Sequence, residues 1–406
     1  MRKEKQMKKS IKILLTSVSL FTLNICTVSG YYAINLPDSY YVTEGEKLEL
    51  VTTFSIDAVS DNNSASVSAN SNAKMNKTSL RLFGIFPVKN VEVKTLEQTM
   101  LIPGGQPFGI KLLMEGVMIV DTGDVKTKQG AKCPATECGL KKGDIIISVN
   151  GEEVDSNQEL SEIVSTSDGQ PVEILYSRNN KEYNTSLIPA MSASDSKYKA
   201  GLWVRDSTAG IGTVTFCEPY TNRFGGLGHP VCDSDTGEII PISSGETADV
   251  CINKVVKGES GSPGELHGCF SSEMSSGVIY NNNEYGVFGE MFCVSENDKA
   301  IPMGLKQEVE TGKAVILSTI DETGPEEYEI EIESIDYNNE ETKNMTIRVT
   351  DKELLEKTGG IVQGMSGSPI IQNGKLIGAV THVLVNDPEK GFAIFCENMY
   401  ETGISK

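Results

Sequence analysis

Histidine is scarce in this sequence, with three in 406 residues. Any step that needs an imidazole must use His229, His267 or His382. Positive charge is also short. Lys and Arg number 36 against 56 Asp and Glu, a net charge of −20, and nucleic-acid phosphate needs clustered cations that this balance does not supply. Aromatic residues make up 6% of the chain while glycine reaches 39, which suits a loop-rich β architecture better than a helical bundle. Long helical periodicity is missing from about residue 192 onward, where short apolar runs are broken by Gly, Pro and Asn. A mainly β fold, barrel or sandwich, is expected there. Zinc-knuckle spacing is absent too. Of nine cysteines, Cys133 and Cys138 form the only close pair downstream of the N-terminal segment, and no His lies at a complementary distance. No metal and no other cofactor is therefore expected. Disulfides are open outside the cytosol, with a pairing that spacing does not reveal.

What is present begins with a basic start (Arg2, Lys3, Lys5, Lys8, Lys9, Lys12) and an apolar run over about 13–34. This asymmetry places the start in the cytoplasm and the bulk of the chain across a membrane. The run is close to the length of a spanning helix, and the small residues Val28-Ser29-Gly30 also suit signal cleavage. An uncleaved signal-anchor over 1–35 is the favoured reading. Residues 36–101 read as linker with short strands. From Asp57 to Thr78 the chain is rich in Ser, Asn and Ala and cannot support a core of its own. Self-cleavage is expected between about Ser55 and Leu82.

The later chain is organised around Gly364-Met365-Ser366-Gly367-Ser368-Pro369, followed by an apolar run, an Asn373-Gly374 turn and a returning apolar run. A serine between glycines on a loop entering a β-hairpin suits a nucleophile. Small neighbours admit a substrate carbonyl and leave backbone N–H groups free to hold an oxyanion. A short helix is expected at 352–358, with Thr350 and Glu353 as capping box and Gly359-Gly360 as its stop. A histidine must take the serine proton near neutral pH. His229, in the Gly-rich loop Phe224-Gly225-Gly226-Leu227-Gly228-His229-Pro230, lies 137 residues before Ser366, a gap that can put base and nucleophile on separate β-units. His382, just after the hairpin, is the fallback. The acid that should orient the base has four candidates, Asp351, Asp233, Asp235 and Asp249, and spacing does not choose among them. Ser260, in a second Ser-Gly-Ser-Pro run at 260–263, lies only 31 residues after His229 and reads as a turn.

Residues 102–190 resemble a PDZ domain. The resemblance rests on Phe108-Gly109-Ile110 after Pro103-Gly104-Gly105, on Gly139-Leu140 with Gly143-Asp144, on Asn150-Gly151, and on a short helix capped by Ser156 and Glu159 with Leu160, Ile163 and Val164 on its apolar face. It implies that Phe108, Gly109 and Ile110 form a carboxylate-binding loop, with an extended peptide adding as a strand between loop and helix. Residues 201–212, the Leu227-Gly228-His229 loop, residues 261–266 and residues 364–369 together resemble the stage IV sporulation protein B family, membrane-anchored serine peptidases with a PDZ domain before the peptidase domain.

That resemblance implies a trypsin-like double β-barrel over 191–406, with Ser366 as nucleophile, His229 as general base and Asp351 as the acid. The N–H groups of Gly364 and Ser366 would form the oxyanion hole. It also implies export from the forespore into the space between the two spore membranes. There the enzyme would cleave itself and then a membrane-bound regulator, triggering late sigma-factor activation. Two other readings stand beside it: an inactive PDZ scaffold, and a quality-control protease of the HtrA type, whose PDZ domains follow the peptidase rather than precede it.

Overall fold

The computed structural model describes residues 2–60, 75–292, 299–337 and 342–404. The N-terminal helix, Arg2–Asn35, contains a stretch, Ile11–Asn35, that is long and apolar enough to cross a membrane. Three of its threonines are satisfied locally. Thr16, Thr22 and Thr27 donate to carbonyls four residues back at 2.7–2.9 Å. The helix end is not solitary, because Ile25, Val28 and Tyr32 pack with Leu36 on a sheet core of Tyr40, Leu80, Leu82 and Val91. That sheet orders Ser39–Thr43, Phe86–Leu96, Met75–Leu82 and Ile56–Ser60 side by side. Both ends of the stretch expected to be a linker are therefore strands, paired from Ile56 opposite Leu82 to Ser60 opposite Thr78. The remainder of the expected linker and cleavage region, 61–74, lies outside the described residues.

Two six-stranded barrels follow. In the first, Pro107–Thr122, Ile242–Val256, Glu265–Asn283, Gly286–Met291, Arg223–Gly226 and Leu202–Cys217 pair in that order, and the last pairs back onto the first. Phe108, Ile110, Leu112 and Met114 alternate into its core against Phe224 and Val287. The second barrel closes in the order Gly312–Ser318, Glu326–Ile335, Met345–Val349, Asp387–Phe395, Lys375–Leu384 and Pro369–Gln372. Its period-two pattern is plain in Glu326–Ile335, where Tyr328, Ile330 and Ile332 are buried and Glu327, Glu329 and Glu331 are exposed.

The PDZ module sits between the first two strands, in sequence, of the first barrel. Its helix Asn157–Ser165 starts at Ser156, which accepts from the Glu159 N–H at 3.2 Å, and it buries Leu160 and Val164 as expected. The site expected on Phe108, Gly109 and Ile110 is overturned by pairing. Phe108 lies opposite Gly212 on one side and Asp249 on the other, Gly109 opposite Ile211 and Ala248, and Ile110 opposite Gly210 and Thr247. These residues are mid-strand in the first barrel with both edges used, so they cannot form a carboxylate-binding loop. Gly109 has a packing cause, since a Cβ there would lie 2.2 Å from the Phe270 ring.

Candidate active site

The helix Lys352–Thr358 begins one residue away from the expected cap. Asp351, not Thr350, is its N-cap, with Oδ1 accepting from the Leu354 N–H at 2.9 Å. The helix stops at Gly359 in the left-handed region, φ 75°. Ile361, Val362 and Met365 then anchor the next loop in the second-barrel core. On either side of Met365 the chain turns at Gly364 and Gly367, with φ of 100° and 97°, values that favour glycine.

The first barrel holds this loop from outside. Thr213 N–H donates to the Ser366 carbonyl at 2.9 Å, Thr213 Oγ1 to the Gly364 carbonyl at 2.8 Å, and Thr215 Oγ1 to the Gly367 carbonyl at 2.8 Å. Inside the loop, the N–H groups of Met365, Gly367 and Ser368 donate to Val362, Val380 and Met365. Among the described residues, the Gly364 and Ser366 N–H groups donate to nothing.

His229 follows Arg223–Gly226 through a turn at Leu227 and Gly228, both with positive φ. Gly228 presses against the second barrel, where a Cβ would lie 3.0 Å from both Ile394 and Thr381. His229 Nδ1 is 2.8 Å from the Pro230 carbonyl. A carbonyl only accepts, so Nδ1 carries the proton and Nε2 presents a lone pair. Burial pushes the His229 pKa down, and the Pro230 carbonyl opposes that in part. The His382 ring lies 4.8 Å away, tilted by 36°. The pKa of His382 is pushed down to about 4, first by desolvation and then by the facing His229 and the Lys343 charge. Ser366 Oγ donates to the Thr381 carbonyl at 2.8 Å, one residue before His382.

His229 and His382 thus face each other where the two barrels meet, and Ser366 is tied by its hydroxyl to the residue before His382. The four acids do not join them. Asp351 spends its carboxylate on the Leu354 and Glu329 N–H groups. Asp233 is fully buried; burial alone would raise its pKa, but the N–H groups of Thr236 and Asp235 and the Arg205 guanidinium outweigh that and lower it. Asp235 pairs with Arg205 at 2.7 Å. Asp249 lies opposite Phe108 in a strand. Ser260 sits in a tight turn, its hydroxyl donating to the Asn386 carbonyl at 2.9 Å. Thr213, Thr215, Thr381 and the Pro230 carbonyl were not singled out from sequence. Only the alternation of Thr213 and Thr215 marks two hydroxyls on one strand face.

A family model described as SpoIVB peptidase S55 matches residues 196–400, just over half of the chain, and a PDZ-domain model matches 127–178. Among solved structures, the chain is similar to the PDZ domain of the SdrC-like protein of Listeria monocytogenes at 22% identity. That match covers 23% of this chain and 90% of the other, with a TM-score of 0.19. The Rv3671c protease of M. tuberculosis matches in its active form at 15% identity over 49% of this chain and 74% of the other, TM-score 0.27. Its inactive form matches at 13% identity over 47% and 81%, TM-score 0.25. At these TM-scores the structural likeness carries no argument, and the family match does. This chain belongs to the SpoIVB peptidase S55 family and is a serine peptidase with a PDZ domain.

Proposed function

We propose that this peptidase is a self-processing endopeptidase of sporulation signalling. It is exported from the forespore behind its N-terminal helix, and it cleaves first itself and then a membrane-bound regulator whose processing triggers late sigma-factor activation. The observation that carries the catalytic part is the pair of unengaged N–H groups, Gly364 and Ser366, beside a serine held where the barrels meet. Ser366 Oγ leaves the Thr381 carbonyl, passes its proton to His229 Nε2 and attacks the scissile carbonyl. The carbonyl oxygen becomes an oxyanion that the Gly364 and Ser366 N–H groups hold. The imidazolium returns the proton to the leaving amine, and water then releases the acyl group by the same route.

In this reading the Pro230 carbonyl does the orienting that an acid does in a triad, fixing the Nδ1–H tautomer of His229. Asp351 becomes a positioning residue that caps the helix leading into the nucleophile loop. Processing falls between the strands Ile56–Ser60 and Met75–Leu82, whose own backbones are paired.

The test is the full chain in detergent, as wild type, Ser366→Ala and Ser260→Ala, with intact mass followed over time. Fragments from wild type and Ser260→Ala but not from Ser366→Ala are expected. A Ser366→Ala chain that still processes itself would remove Ser366 from the mechanism. Three stable chains would remove self-processing.

A further inference from the structure

A PDZ domain takes an extended peptide as an added strand on an exposed sheet edge beside its helix. Here that edge is the end of Pro107–Thr122, and both of its sides are filled. Val117 and Met118 pair with Ile146 and Ile145 within the module. On the other side, Met118, Ile119, Asp121 and Thr122 pair antiparallel with Arg205, Val204, Trp203 and Leu202. Leu202 and Val204 pack on the PDZ core, whose members include Ile119, Leu160 and Val164, while Trp203 between them is 67% exposed. The neighbouring Asp206 accepts from the first N–H of the helix, that of Asn157, at 2.9 Å. Alternate apolar residues inward, an antiparallel ladder on one side and a helix on the other are what a bound peptide would offer. We infer that the peptide groove is occupied by the chain's own segment 202–206, so that the module is a clamp on the peptidase rather than a free receptor for peptide ends. What is left of the groove is a cavity of about 440 Å³ between that segment and the helix, lined in part by Leu160, Val164 and Tyr198.

The clamped segment is the start of Leu202–Cys217. Further along the same strand, Thr213 and Thr215 hold the Gly364, Ser366 and Gly367 carbonyls. Arg205, at the clamped end, is paired with Asp233 and Asp235, a few residues after His229. One strand therefore ties the groove to the base loop and the nucleophile loop. Seating Leu202 and Val204 in the groove keeps both loops aligned, and a segment pulled out of it leaves them unbraced. This coupling rests on the catalytic reading above; the occupancy of the groove does not.

Two measurements on the full Ser366→Ala chain read the occupancy without any catalysis. In hydrogen exchange, the amides of 118–122 and 202–205 should exchange as slowly as the second-barrel core; exchange within seconds would overturn the clamp. A fluorescein-labelled peptide of sequence 200–206 should bind this chain no better than a scrambled one. It should bind at least tenfold tighter after Leu202→Ser with Val204→Ser. Equal binding to both chains would overturn the clamp, as would no binding to a double variant whose second barrel keeps its exchange protection. For the coupling, the double variant with Ser366 intact should lose about tenfold in kcat with little change in KM. An unchanged kcat would leave the clamp standing and remove the brace.

Discussion

The two barrels have the same strand count and opposite histories in sequence. The second is drawn from one unbroken stretch, 312–395, and its strands pair mostly with near neighbours. The first takes one strand from 107–122 and the rest from 202–291, with the PDZ module between. Ser366, the proposed nucleophile, sits on the contiguous barrel, but its loop is held in large part by the interrupted one, through Thr213, Thr215 and the pairing of Leu266 N–H with the Gln363 carbonyl. A barrel interrupted in this way puts a second module against a strand that also holds the Ser366 loop. Alignment of Ser366 is then a property of the seam between barrels, not of either barrel alone.

The hardest way to break that seam is Gly367→Ala. A Cβ there would lie 2.0 Å from the Thr213 carbonyl oxygen and 2.6 Å from the Leu227 nitrogen, at φ of 97°. Both obstacles are backbone, so the barrels must separate, and a loss of about 4 kcal/mol in urea unfolding is expected, together with loss of cleavage. Gly374→Ala, in the Asn-Gly hairpin with open space around it and φ of 76°, should cost only about 1 kcal/mol and leave cleavage intact. If the two variants behaved alike, the seam would not be the sensitive place.

Thr213→Val comes next. It keeps the strand but strands the Gly364 carbonyl, at a cost of about 1–2 kcal/mol, and it should lower kcat more than KM. Smaller again is Asp351. Loss of the cap in Asp351→Ala should cost about 1 kcal/mol, whereas Asp351→Asn caps nearly as well and should keep both stability and most of kcat. A collapse of kcat in the Asn variant, with stability retained, would return Asp351 to the role of orienting acid.

The residues that could be read from sequence are those whose signal is local. Gly364 and Gly367 stand on either side of Ser366 where the backbone needs positive φ. His229 follows Gly228 for a related reason, since the turn needs positive φ and leaves no room for a side chain. The misreadings have non-local causes. Phe108-Gly109-Ile110 has the form of a carboxylate-binding loop, yet its glycine answers to the Phe270 ring, 161 positions away in sequence. The strands Ile56–Ser60 and Met75–Leu82 are polar in sequence because one face of their sheet is solvated, while the other finds its core in Tyr32 and Leu36 of the preceding helix. The resemblance that pointed to Asp351 depended on its position before the serine; the carboxylate itself is engaged by a helix terminus.

The smallest effect, and the one that best separates the two histidines, is pH, because His382 is an exposed side chain and solvent screens much of its shift. His382 has a folded pKa near 4, below the usual value for histidine of about 6.5. Between those values the unfolded chain binds the proton and the folded chain does not, so stability rises with pH through that window. The contribution is fully present above about pH 6.5 and is lost as pH falls toward 4. His229 shifts in the same direction, and its neutral form is the proposed base, so cleavage should persist below pH 6.5 before it fails. The two can be uncoupled. With His229 as the base, His382→Gln should flatten part of the acid fall in the urea midpoint while leaving the acid limb of kcat/KM in place. If the substitution moved the activity limb and left stability alone, His382 would be the base, and the seam would present its serine to the second barrel's own histidine.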